Sequence, residues 1–201
     1  MNVLILGDGL TSITLAKMLV NNGIKVDIFS NKKTKKYNKI QTLGISKTNV
    51  EFFNKNILNI KNFLWNIDNI EIYSENLKNE KILNFENKEN NLFFMIRNYD
   101  LYNHLLLNLK KDKLIKFKKD IKHRNLEKSN YNLIFNCDNS NLISKKFFFR
   151  KINKNYKSFA HTTVLTHKKI SNNHIASQVF TKNGPLAFLP ISPTETSVVY
   201  S

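Results

Sequence analysis

The sequence predicts an α/β protein in which a parallel strand–helix–strand unit is followed by a mostly antiparallel β region. Asn2–Leu6 (NVLIL) is an apolar run that ends at a glycine, which is typical of a buried parallel strand. Apolar residues then recur at roughly helical spacing from Leu10 to Val20, and Lys25–Phe29 (KVDIF) alternates like a second strand. A unit this compact implies a right-handed parallel crossover. The third observation is a set of strand-like segments that fills the chain after Lys151.

The elements between and after these regions follow from the same patterns. Asn21, Asn22 and Gly23 end the first helix and begin a tight turn. A weakly helical stretch runs from Lys47 to Trp65, and a stronger helix runs from Tyr99 to Leu109. The remaining predicted strands are an antiparallel meander of Ile70–Tyr73, Lys81–Phe85 and Leu92–Ile96, then Leu114–Phe117, a buried strand in Tyr131–Asn136, and finally Phe159–Thr166, Ile175–Thr181, Leu186–Leu189 and Ser197–Tyr200.

Composition excludes several classes of protein. The chain has 201 residues, of which 41% are hydrophobic and 11% aromatic, so it can bury one large core or two small ones and is not disordered. Cys137 stands alone, which excludes an internal disulfide framework and a cysteine-based zinc site. We expect no transmembrane helix, no signal peptide and a cytoplasmic location, because no apolar run is long enough and the N-terminus lacks a basic segment.

The formal net charge of +17 suggests an anionic partner, but its origin argues otherwise. The chain contains 29 lysines, three arginines and 32 asparagines, a combination that biased nucleotide composition would produce. Base-reading surfaces rely on arginine, so a nucleic-acid partner is disfavoured. We interpret the runs Lys32–Lys36 and Lys110–Lys119 as solvated faces. Docking to an anionic membrane, helped by Phe147–Phe149, is the alternative.

The turn between the first strand and the first helix is the strongest candidate for a binding site. Gly7 permits a tight turn there, and Gly9 lets a diphosphate approach the main chain. The helix start at Leu10, Thr11 and Ser12 then offers N–H groups and the positive end of the helix dipole. Ser12 occupies the position that normally holds a third glycine, and its small side chain keeps the packing penalty modest. A plain β-α-β turn without a ligand is the alternative interpretation.

The end of the second strand departs from the usual dinucleotide pattern. An acidic residue commonly stands there and binds the adenosine ribose. This chain has Ser30 instead, whose hydroxyl can still bind a ribose but more weakly than a carboxylate can.

Two segments resemble one family of enzymes. Residues 2–30 are similar to the N-terminus of the flavin-dependent aromatic hydroxylases related to para-hydroxybenzoate hydroxylase. Phe180–Pro190 (FTKNGPLAFLP) resembles the signature of the ubiquinone-biosynthesis hydroxylases within that family, and a Ser-Val-Val strand follows it. The resemblance runs nearly from Met1 to Ser201.

The resemblance implies FAD as the cofactor and extends the list of site residues. The FAD-binding residues would be Gly7, Gly9, Leu10, Thr11, Ser12, Ser30, Gln41, Asn98 and Asp138. Gln41 replaces an arginine of the family, and Asn98 opens the helix beside the flavin. Asp138 is the retained acid of an Asp-Gly motif, in which Asn139, Leu142 and Lys145 replace the family's glycine, serine and arginine.

The resemblance also implies a domain plan and a reaction. Residues 1–150 would form a Rossmann-like FAD-binding domain with strands inserted at about 68–97. Residues 151–201 would begin an incomplete β-sheet substrate domain. NAD(P)H would reduce FAD, and O2 would supply the oxygen that hydroxylates an aromatic substrate, a polyprenyl phenol precursor of ubiquinone. The floor of the substrate pocket would be formed by Phe188, Leu189 and Pro190. No side chain is assigned as a catalytic acid or base.

The implied partners are the aromatic substrate, an anionic membrane surface and other ubiquinone-biosynthesis proteins. The family's second flavin motif, a Gly-Asp pair, has no counterpart in residues 1–201, so the chain resembles the N-terminal half of a member.

Two functional alternatives stay open. The chain could be a non-catalytic remnant with weak or no FAD binding, or a basic module that binds membrane or nucleic acid. The five histidines match no metal-ligand spacing, so no metal site is predicted.

Overall fold

The computed structural model describes residues 1–30, 38–77, 80–86, 91–119, 130–138, 144, 146, 150, 152 and 154–201. The chain divides into two compact units. The first comprises residues 1–36, 55–58 and 102–155, and the second comprises residues 37–54, 59–101 and 156–201.

The described helices are α1 (Leu10–Asn21), α2 (Lys47–Asn56) and α3 (Asn98–Lys110), with single 3-10 turns at Lys61–Phe63 and Glu75–Leu77. The described strands are β1 (Asn2–Leu6), β2 (Lys25–Phe29), β3 (Thr42–Ile45), β4 (Trp65–Ile67), β5 (Asn69–Ser74), β6 (Lys81–Glu86), β7 (Phe93–Arg97), β8 (Ile115–Lys118), β9 (Leu133–Asn136), β10 (His161–Thr166), β11 (Ile175–Thr181), β12 (Gly184–Ser192) and β13 (Glu195–Tyr200).

The first unit is built on a parallel sheet in the order β8-β2-β1-β9. Strand β1 lies inside this sheet, and its apolar residues are almost completely buried because they have neighbours on both edges. Helix α1 buries Ile13, Ala16 and Val20, which recur at helical spacing and form its apolar stripe. The parallel order places the carboxyl ends of β1, β2 and β9 at one edge of the sheet, where ligands of such folds bind.

The second unit combines a six-stranded sheet, in the order β10-β13-β12-β11-β5-β6, with a three-stranded antiparallel sheet, in the order β3-β7-β4. In the larger sheet, β11 pairs with β5 in parallel and the other neighbours are antiparallel. Ile67 and Met95 of the smaller sheet pack with Ala176 of the larger one in a buried cluster. The unit therefore has its own apolar core.

The predicted α/β class is confirmed, and so is the parallel strand–helix–strand start. The predicted meander is only partly right. Strands β5 and β6 are antiparallel neighbours, but β7 pairs with β3 and β4 in the other sheet. Sheet pairing also puts β5 of the predicted insertion beside β11, which was assigned to the predicted second domain. The observed strand pairing differs from the predicted one because local periodicity does not determine which distant strands pair with each other.

Candidate cofactor site

The first turn has the geometry that its glycines predict. Gly7 has a φ of +105°, a conformation that residues with a β-carbon rarely adopt. Its N–H donates a hydrogen bond of 2.7 Å to the carbonyl oxygen of Phe29 at the end of β2. The turn is thereby fixed to the carboxyl end of the neighbouring strand.

Space around Gly7 is also restricted. A β-carbon at this position would lie 3.2 Å from Cβ of Asp138 and 3.3 Å from Oγ of Ser12. Asp138 follows β9, so the two strands that flank β1 both bring residues to the first turn. The structure therefore places Asp138 beside Gly7, which is one of the juxtapositions that the resemblance implies.

Helix α1 begins without a side-chain cap. Gly9 is the N-cap residue, with φ −71° and ψ 174°, and its carbonyl oxygen accepts the first helical bond from Ile13 N–H at 3.1 Å. The first helical turn of α1 contains no acidic residue, and no side chain among the described residues caps the helix. An uncapped helix start directed by a glycine turn is a suitable site for an anion.

Ser12 is buried in this arrangement. Only 1% of the residue is exposed, and its Oγ has no hydrogen-bond partner among the described residues. Its neighbour Thr11 is exposed, while Leu10 is partly buried. Ser12 therefore fills the packing position of the turn rather than presenting a hydroxyl to solvent.

Ser30 lies where the sequence predicts, at the end of β2, but its hydroxyl is engaged. Ser30 Oγ donates a hydrogen bond of 2.7 Å to Oδ2 of Asp8, the residue between the two glycines of the turn. Sequence reasoning missed Asp8. The available signal was the coincidence of an unexpected acid in the turn with the loss of the expected acid at position 30.

The segment after β9 is described as far as Asp138. Its N–H donates to Asn136 Oδ1 at 3.3 Å, and its carbonyl oxygen accepts from Ser144 Oγ at 2.9 Å. These bonds hold the main chain of Asp138 where it approaches Gly7. The predicted positions Asn139, Leu142 and Lys145 lie outside the described residues.

Two further predicted residues meet in the second unit. Asn98 N–H donates to the carbonyl oxygen of Gln41 at 3.0 Å, so the start of α3 is joined to the residue before β3. Oδ1 of Asn98 is buried and has no partner among the described residues. The adjacent Arg97 forms an ion pair of 2.7 Å with Glu195 and donates to the carbonyl oxygen of Lys39. Asn98 therefore keeps one buried acceptor for a donor group.

The three predicted substrate residues lie on β12 but do not share a face. Leu189 packs against the cluster of Ile67, Met95 and Ala176, so it belongs to the core of the second unit. Phe188 and Pro190 alternate with it along the strand and therefore point the other way. Gly184, which opens the same segment, has a φ of +137°, and a β-carbon there would lie 1.8 Å from the carbonyl oxygen of Ser201.

The first unit has a second polar region at the opposite ends of its strands. A cavity of about 320 Å³ is lined by residues at the amino ends, including Asn2, Lys25, Leu114 and Tyr131. Ligands of parallel α/β sheets bind at the carboxyl ends, so this cavity is not the candidate cofactor site.

Two residues that line this cavity, Asp27 and Tyr131, form a charged cluster with Lys118. Lys118 Nζ is 2.6 Å from Asp27 Oδ2 and donates to the Tyr131 hydroxyl at 2.9 Å, and that hydroxyl also donates to Asp27. The bond to Asp27, followed by the bond to Tyr131, raises the pKa of Lys118 to about 12. Burial is the main cause that raises the pKa of Tyr131, and its hydrogen bond to Asp27 adds to the effect.

The residues of the first turn fit the diphosphate of a dinucleotide. Gly7 has the positive φ that keeps the turn tight, and α1 begins uncapped at Gly9. No group of three or more metal-binding side chains occurs in the part of the chain that the structure describes. None of the helices within the described ranges has the length and apolar character needed to cross a membrane.

Comparison with known proteins identifies this fold. No family model and no curated protein matches the sequence. Among solved structures, PqsL of Pseudomonas aeruginosa, a probable FAD-dependent monooxygenase, superposes with a TM-score of 0.72 at 12% identity, over 98% of this chain and 59% of its own. A variant of Klebsiella pneumoniae HpxO complexed with FAD superposes with a TM-score of 0.73 at 11% identity, over 100% of this chain and 56% of its own. The chain therefore has the α/β fold of these proteins.

The partial length of the match limits which properties of the solved structures can be inferred for this chain. The described fold spans between 52% and 62% of the solved structures that it resembles. Sequence identities of 11–13% show a shared fold and leave activity, substrate and cofactor to be argued from the site. The expectation of a chain that matches only part of a longer flavoprotein agrees with this coverage.

Proposed function

We propose that this chain binds FAD at the Gly7–Ser12 turn and is the nucleotide-binding part of an FAD-dependent monooxygenase. The observation that carries the proposal is the crowded, positive-φ glycine turn ahead of an uncapped helix, at the carboxyl edge of a parallel sheet. The fold shared with FAD-dependent monooxygenases supports the choice of FAD over other dinucleotides.

Different residues of the site would contact different parts of the cofactor. The α1 amides after Gly9 would bind the diphosphate, Gly9 would let it approach the main chain, and Gly7 would keep the turn tight. Asp138 would border the same turn. When bound, FAD supplies the redox chemistry that activates oxygen, with NAD(P)H as the proposed source of electrons. No residue of this chain is assigned as an acid or base.

We further propose an electron-rich aromatic ring as the substrate, specifically a polyprenyl phenol precursor of ubiquinone. The resemblance of Phe180–Pro190 to the ubiquinone-biosynthesis hydroxylases supports this choice. Contact with a membrane surface and with other ubiquinone-biosynthesis proteins belongs to the same proposal. The net charge of +17 would favour an anionic surface, on which such a substrate resides. The orientation of Leu189 into the core leaves Phe188 and Pro190 as the proposed apolar contacts.

FAD binding by the purified chain tests the proposal directly. Titration with FAD, followed by quenching of flavin fluorescence and by the rise in melting temperature, should show saturable binding. Gly7→Ala should weaken it at least tenfold, since the added β-carbon meets Asp138 and Ser12. Gly23→Ala is the matched control, because Gly23 also has a positive φ of +75° but nothing within 4 Å of its added β-carbon.

The alternative is a remnant that keeps the fold but not the cofactor. The carboxylate of Asp8 in the turn is the observation that favours it, because a fixed negative charge there opposes a diphosphate. If FAD changes neither the melting temperature of the wild-type chain nor the flavin fluorescence, the result supports the remnant hypothesis and rejects the flavoprotein hypothesis.

A further inference from the structure

The carboxylate of Asp8 is the polar group of the first turn that the proposed function does not use. Ser30 directly follows β2, and its N–H still donates a hydrogen bond of 3.2 Å to the carbonyl oxygen of Lys118 in β8. In dinucleotide-binding folds, this is where an acid binds the adenosine ribose. Here that position holds a hydroxyl, and the carboxylate of Asp8 lies 2.7 Å from it. The negative charge missing from the strand end is thus restored from the turn.

The hydrogen bond between these residues fixes their roles. Ser30 has a single hydroxyl proton, and it is donated to Oδ2 of Asp8, so it is not available to a ribose oxygen. Oδ1 of Asp8 accepts no hydrogen bond from any residue in the described part of the chain. A ribose diol needs acceptors for its hydroxyl protons, and an ionised carboxylate is the strongest acceptor among side chains.

The backbone explains why Asp8 points toward β2. It lies between Gly7, whose φ is +105°, and Gly9, the N-cap of α1. An acid that served only the helix dipole would bond to the first amides of the helix, yet α1 has no side-chain cap among the described residues. The Asp8 side chain is bonded to the strand end instead, which leaves the helix start for the diphosphate.

We propose that Asp8, positioned by Ser30, is the carboxylate that binds the adenosine ribose of the dinucleotide. This inference rests on the proposed FAD site and assigns its ribose contact. Asp8 is the binding residue, and Ser30 is a positioning residue that acts through it. The relocation keeps one carboxylate at the end of β2 although the residue at that position has changed.

This assignment and simple charge repulsion predict opposite effects of one substitution. If Asp8 binds the ribose, Asp8→Asn weakens FAD binding about tenfold, which is typical of a lost hydrogen bond to a charged group. If Asp8 only repels the diphosphate, the same change strengthens binding. Asp112→Asn is the matched control, because it removes one negative charge from a turn after α3 and keeps the Oδ1 acceptor that bonds to Leu114 N–H.

The experiment measures FAD binding, and then competition by ADP and by 2′-deoxy-ADP, for the wild type and each variant. The wild type should prefer ADP about tenfold, and Asp8→Asn should lose that preference. Ser30→Ala, which keeps Asp8 but frees its side chain, should weaken FAD binding about threefold. The double variant Asp8→Asn/Ser30→Asp, which returns the acid to the strand, should regain both affinity and preference. Melting temperatures without ligand verify that each variant folds.

The outcomes separate this inference from the proposed function. FAD binding that is unchanged or tighter in Asp8→Asn, or an ADP preference that survives it, overturns the ribose assignment alone. A wild type that binds neither FAD nor ADP overturns the proposed function and the assignment together. If Asp8→Asn fails to fold, the threefold loss in Ser30→Ala decides, and an unchanged affinity in that variant rejects the assignment.

Discussion

Strands β1 and β9 are neighbours in one parallel sheet and have similar apolar sequences, yet their environments differ. Val3, Leu4 and Ile5 of β1 are 0% exposed, whereas Leu133, Ile134 and Phe135 of β9 are 48%, 41% and 36% exposed. The two strands are paired residue by residue, beginning with Val3 opposite Leu133. Among the described residues, the sheet is therefore covered around its inner strand β1, which we call the closed side, and uncovered along its edge strand β9, which we call the open side.

The difference shows what position in a sheet contributes beyond sequence. Strand β1 has β2 and β9 on its two edges and α1 against one face, while β9 pairs only with β1 among the described strands. The candidate site uses both sides, since Gly7 follows the closed strand and Asp138 follows the open one. We expect the closed side to determine stability and the open side to tolerate substitution.

Truncation on the two sides should have the largest and most unequal effects. Leu4→Ala should lower the free energy of unfolding by about 3 kcal/mol, because it leaves a cavity in a completely buried position. Ile134→Ala should cost less than about 1 kcal/mol, since that side chain already meets solvent. Urea denaturation of both variants measures the difference. Equal losses would mean that β9 is as well covered as β1.

The sequence predicted the closed side well because its signals are local. The bounds of β1 and β2 follow directly from apolar patterning, and the turn follows from Gly7 and Gly9. It predicted a buried strand in Tyr131–Asn136, and this was wrong about burial, because an apolar run does not reveal whether its outer edge is covered. Likewise, Asp8 lay in a predicted turn, but the direction of its side chain depends on Ser30, a contact made only in the folded chain.

A smaller effect should come from the buried hydroxyl on the closed side. Ser12→Ala removes an oxygen that is buried without a partner among the described residues, so it should raise the free energy of unfolding by about 1 kcal/mol. Thr11→Ala is the control, because it makes a similar change at the exposed preceding position and should stay within about 0.5 kcal/mol. A loss of stability in Ser12→Ala would show that the hydroxyl has a partner that matters.

The smallest effect concerns the charged cluster near the start of β9, where Tyr131 joins that side of the sheet to Asp27 and Lys118. The pKa of Lys118 is raised from 10.5 to about 12, chiefly by its hydrogen bond to Asp27, so the folded state holds this proton more tightly than the unfolded state. Its contribution is complete below pH 10.5 and disappears as the pH rises to about 12. The raised pKa of Tyr131 acts in the same direction.

Lys118→Met should therefore reduce the decline in the free energy of unfolding between pH 10.5 and about 12. The reduction should be less than about 1 kcal/mol, because the side chain is 43% exposed and partly screened. Urea denaturation at each pH measures it. Lys116→Met, two residues earlier on β8, should keep the wild-type decline, since Lys116 has no ion pair among the described residues. If the two variants follow the same curve, the cluster does not contribute to the attachment of the open side.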